Sequence, residues 1–163
     1  MKTRTVSYGV FIALALIFSY VETLIPIHLG IPGVKLGLAN LITVIALYKI
    51  RAGEVYLLSV IRVVIAGFMF GSMFSIIYSL AGSILSLTVM ILLKKNGRFS
   101  IVGVSIAGGV FHNIGQMCMA MMLIETYSVL YYLPVLLTAG VITGAVIGIT
   151  ANEMMKRLTK IEL

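Results

Sequence analysis

Four clusters of lysine and arginine divide this chain into apolar stretches, and their spacing constrains the fold more than any other feature. Lys2 with Arg4, Lys49 with Arg51, Lys94 and Lys95 with Arg98, and Lys156 and Arg157 with Lys160 are separated by stretches that each have room for two membrane crossings. Crossing twice each time places every cluster on one face, which the positive-inside rule makes cytoplasmic. The expectation is an all-α membrane protein, a six-transmembrane-helix bundle with both termini cytoplasmic, multi-pass in the cell membrane. Composition agrees: 61% hydrophobic residues and a mean hydropathy of +1.15 leave too few polar side chains to cover a water-facing surface. The net charge of +7 is spread between apolar runs and forms no basic patch with interleaved aromatics, so topology explains it better than nucleic acid.

The spans are expected at about 6–25, 36–48, 54–69, 72–93, 100–124 and 133–152, in a single membrane domain of residues 1–163. The first run carries no small-residue cleavage pattern, which favours a retained span over a signal peptide. Val55 to Leu93 is too long for one helix and too short for three; Gly67, Gly71 and Ser72 mark the division. Gly97 suits a left-handed helix end, and Tyr127, Tyr131 and Tyr132 suit an interfacial belt.

One stretch breaks the pattern. Ile31 to Asn40 reads Ile-Pro-Gly-Val-Lys-Leu-Gly-Leu-Ala-Asn, apolar enough for membrane depth, yet Pro32, Gly33 and Gly37 resist a continuous helix and Lys35 brings a charge. Irregular backbone survives at that depth only where protein or a cavity satisfies its polar groups, so the stretch should line or cap a cavity, with a helix starting near Leu36. That helix is short of a full span.

Polar residues inside the spans are the candidates for function. Glu22 and Arg62 are costly in lipid, so each should face the interior: as an ion pair with one another, or with Arg62 turned to an anionic ligand or pocket carbonyl. His112, Asn113 and Gln116 share a broad helical face, suited to interhelical hydrogen bonds or to a ligand cavity. Asn40 reads as a packing amide or a ligand contact. No metal site is expected, since His28 and His112 are the only histidines and lack motif partners. Met117, Met119, Met121 and Met122 read as adaptable apolar filling. Cys118 is the single cysteine, which excludes an internal disulfide.

Small residues recur at helical spacing: Gly140, Gly144 and Gly148; Gly71, Ser75, Ser79 and Ser83; Gly9 and Ala13. The first two sets read as packing within the bundle, where small residues let backbones approach. Gly9 and Ala13 serve equally for packing or for receiving a partner's helix. Catalysis is poorly supported, because the chain contains no aspartate and no GxxxxGK[ST] loop. No enzyme activity and no cofactor are expected.

The Ile31 to Asn40 stretch, the chain length, and His-Asn-Ile-Gly-Gln at His112 to Gln116 resemble the Gx transporter family, also labelled heptaprenyl diphosphate synthase component I. That family is similar to the S components of energy-coupling factor transporters. The resemblance implies six helices, an outward-opening ligand pocket, and a small-residue face on the first helix that docks on a transmembrane coupling protein with two ATPases; Gly9 and Ala13 match that face. The resulting expectation is a substrate-capture subunit for a small anionic or carbonyl-rich molecule, held by Lys35, Asn40, Arg62, His112, Asn113 and Gln116. The other expectation is a non-catalytic accessory subunit of isoprenoid or quinone synthesis.

Overall fold

The computed structural model describes residues 2–25 and 37–161, with side-chain surroundings for 8–25 and 37–157. Among the described residues six α-helices follow one another: α1 (Lys2–Leu24), α2 (Leu38–Lys49), α3 (Ala52–Phe70), α4 (Met73–Asn96), α5 (Ile101–Ile124) and α6 (Leu133–Ile161), with a 3₁₀ turn at Tyr127–Tyr132 before α6. Four apolar segments have the length and composition to cross a membrane: Ala52–Phe70, Met73–Asn96, Ile101–Ile124 and Tyr127–Arg157. Tyr8–Leu24 and Leu38–Lys49 are shorter apolar helices. The chain is therefore a multi-pass membrane protein.

Local chemistry sets the helix ends. The Glu54 carboxylate reaches back to accept the Arg51 N–H at 2.8 Å and opens α3. The Ser72 and Ser100 hydroxyls accept from Ser75 N–H at 3.2 Å and Gly103 N–H at 3.1 Å, which caps the starts of α4 and α5. Gly97 closes α4 at φ 71°, as its position in the polar turn predicts. Gly71 and Ser72 alone separate α3 from α4, at the expected division. The last helix runs on through the basic tail, with Glu153 placed one turn before both Lys156 and Arg157, at 3.6 and 3.7 Å.

α2 differs from the helix expected near Leu36. It starts at Leu38 behind Gly37, whose φ of 74° is left-handed, and Leu36 lies outside the described residues. At 12 residues it is about 18 Å long, against an apolar thickness of roughly 30 Å. Its sequence is largely apolar, with Asn40 and Thr43 as the polar residues before its basic end, and Leu41 to Leu47 are all buried, which is the signature of an interior helix. It packs against α1, α3 and α6. At its far end the Lys94 ammonium donates to Leu47 O at 2.6 Å and lies 5.0 Å from the Tyr48 ring centre, joining α4 to the end of α2.

α4, α5 and α6 are stitched by glycine. A methyl group on Gly115 would lie 2.9 Å from Ala81 O, one on Gly144 2.7 Å from Ile106 Cα, and one on Gly148 2.8 Å from Val102 Cα. Gly109 and Gly140 face one another across the α5–α6 seam at similarly close range. Backbones this close exchange dispersion contacts and bring hydroxyls onto neighbouring carbonyls. Ser86 Oγ donates to Gly108 O and Ser105 Oγ to Gly144 O, each at 2.8 Å. The packing expected of Gly140, Gly144 and Gly148 is what these contacts form.

Candidate functional site

Between this glycine-stitched wall and α1 to α3 lies a cavity of ≈ 270 Å³. All six helices contribute to its lining, from Glu22 and Gly37 at the end of the bundle away from the basic clusters to Ser86, Met90 and Ser105 deeper in. Gly67, Gly108, Gly109 and Gly144 border the hollow, but a methyl on them would run into Ile76, Met90, Gly140 and Ile106 respectively, so these glycines set the packing of the walls and not the space between them.

Arg62 is the central cation. Its place on α3 turns it inward, where Nη2 donates to Asn40 Oδ1 at 3.2 Å, while Nε is buried without a hydrogen-bond partner. Asn40 sits in the first turn of α2, so the amide that holds the guanidinium belongs to a helix and not to the irregular stretch before it. Glu22, near the end of α1, lines the same cavity and accepts the Gly37 N–H through Oε1 at 2.6 Å. Its charge acts favourably on Arg62, although among the described residues the two make no direct ion pair.

The α5 trio lines the cavity but divides its work. His112 and Gln116 pack over Gly82 of α4, where an added methyl would meet Gln116 Cγ at 2.8 Å and His112 Cε1 at 3.1 Å. Asn113 turns to α6 and donates to Leu136 O at 2.6 Å. The structure thus brings together Asn40, Arg62, His112, Asn113 and Gln116, while Lys35 lies outside the described residues.

Hydroxyls are what the sequence reading missed. Ser75, Ser79 and Ser83, with Gly71, line the cavity, so this stripe serves the hollow, and α4 makes its close packing through Gly82 and Ser86 instead. Ser59, one turn before Arg62, and Ser83 are 2% and 5% exposed, and neither Oγ has a partner. Ser59 had a usable signal: a hydroxyl three residues from an intramembrane arginine shares its face.

The family model described as heptaprenyl diphosphate synthase component I matches residues 11–154. The chain belongs to that family. No curated protein and no solved structure matches it. In this component I chain the cavity lining runs from Ser19 to Ile147 and so falls wholly inside the matched span. Gly9 lies just before the span and Ala13 within it; both are exposed on α1, and a methyl on Gly9 would meet nothing within 4 Å. That face is open to lipid or to a partner.

Proposed function

We propose that this component I protein is a non-catalytic capture subunit of an uptake transporter of the energy-coupling factor kind. All six helices cross the cell membrane with both termini cytoplasmic, the cavity receives a small organic molecule from outside, and release follows docking on a transmembrane coupling protein with two ATPases. The observation that carries this reading is the set of buried, unpartnered donors in the hollow: Arg62 Nε, Ser59 Oγ and Ser83 Oγ. A buried donor left unmade costs about 1–3 kcal/mol, and acceptors on a bound molecule would offset that. Asn40, His112 and Gln116 complete the walls, with Lys35 as a further ligand contact. The exposed Gly9 and Ala13 face on α1 offers the docking surface.

The family description favours a second reading, a membrane accessory to a prenyl diphosphate synthase. Such a subunit would leave catalysis to its partner, since a chain without aspartate carries no aspartate-rich motif to hold magnesium on a diphosphate. The cavity's lining of serines, Asn40, Arg62, His112 and Gln116 is more polar than a long isoprenoid chain calls for.

Affinity purification from the native membrane separates the two. Recovery of a transmembrane protein with two ATPases, lost in Gly9→Leu or Ala13→Leu variants that still fold, is the expected result. Recovery of a soluble aspartate-rich synthase, without ATPases, would replace the transporter reading with the accessory one.

A further inference from the structure

Among the described residues, two charged side chains line the cavity, Glu22 from α1 and Arg62 from α3. Their direct contacts go to Gly37 N–H and Asn40 Oδ1, not to one another. Opposite charges kept apart in one poorly solvated hollow each lack a full counter-charge. An anion would answer Arg62 and be repelled by Glu22, and a cation would do the reverse. A molecule with both charges answers both of these side chains.

The deep end is built for the negative group. Gly67 packs against Ile76, and this antiparallel register brings Ser83 of α4 level with Val60, between Ser59 and Arg62 on α3. Three partnerless donors therefore lie on facing helices within about one turn of each other: Ser59 Oγ, Ser83 Oγ and Arg62 Nε. One positive charge and three donors suit a carboxylate, which brings one negative charge and two acceptor oxygens. Glu22 itself lies toward the Gly37 end, beyond Arg62 along the cavity.

We propose that the cavity takes a small zwitterion of the amino-acid type, its carboxylate on Ser59, Arg62 and Ser83 and its ammonium group facing Glu22. The proposal rests on the capture reading above and names its substrate class. A cavity of ≈ 270 Å³ has room for one amino acid.

The test measures the unfolding midpoint of the purified full chain in detergent against free L-amino acids, their N-acetyl derivatives and their amides. At least one free amino acid should raise the midpoint, and its N-acetyl and amide forms should bind at least about tenfold more weakly, each having lost one charge-assisted contact. Glu22→Gln keeps an acceptor for Gly37 N–H, so it should fold, yet bind the free amino acid about tenfold more weakly. Ser83→Ala, which removes only a hydroxyl, should weaken it severalfold. Equal binding of the N-acetyl form, unchanged or tighter binding by Glu22→Gln, or no response to any free amino acid would overturn the proposal. A retained molecule lacking either charge, seen by native mass spectrometry, would overturn the zwitterion and keep the capture reading. A chain that retains nothing and responds to none of the three probe series would overturn both.

Discussion

Arg62 and Gln116 reach the same hollow from α3 and α5, and their replacement separates binding from folding. Arg62→Ala and Gln116→Ala should each reduce retention of the bound molecule about tenfold or more in native mass spectrometry while the helical content seen by circular dichroism is unchanged. Glycine positions give the opposite outcome. Gly82→Ala drives a methyl to 2.7 Å from His112 O and should cost about 1–3 kcal/mol, read as a lowered unfolding midpoint in detergent. Gly9→Ala meets nothing and should stay within about 0.5 kcal/mol of the parent chain. The arginine was legible in the sequence because a charge inside an apolar run has few places to go. The role of Ser83 was not, since a serine in a membrane helix can return its hydroxyl to its own backbone, as Ser19 does with Ala15 O at 2.9 Å.

α2 is the element on which the site turns, because one end holds Asn40 against Arg62 and the other is held by Lys94. Lys94→Met removes the donor to Leu47 O and should cost about 1–3 kcal/mol, seen as faster amide hydrogen exchange in the last turn of α2 with α5 unaffected. Helix positions were readable from the apolar runs and their punctuation: Gly71 and Ser72, Gly97, and the Arg51 to Glu54 turn lie where the chain changes direction. Direction of facing was harder. In α2 only Asn40 and Thr43 mark a polar side, toward the cavity, and the remaining apolar surface does not say which part meets lipid and which meets protein. The serine stripe of α4 was visible for the same reason that it was misread: small residues suit a tight seam and an open hollow equally, and only the neighbouring helix decides between them.

At the scale of the molecule, basic residues gather at one end of the bundle and the tyrosines of the 3₁₀ turn stand exposed at the other, Tyr127 at 81% and Tyr131 at 87%. With Cys118 replaced by serine, Tyr131→Cys should react with a membrane-impermeant maleimide in intact cells, and Arg98→Cys only after permeabilisation. Labelling of Arg98→Cys from outside would invert the proposed topology. The large-scale arrangement was legible because charge distribution and hydropathy act over whole segments, whereas the cavity depends on how its walls pack. One carboxylate links these scales. Glu22 fastens the start of α2 through Gly37 and lines the chamber with the same residue, so on the zwitterion reading a guest that draws on its charge competes with that fastening. Amide exchange at Gly37 should then respond to the guest.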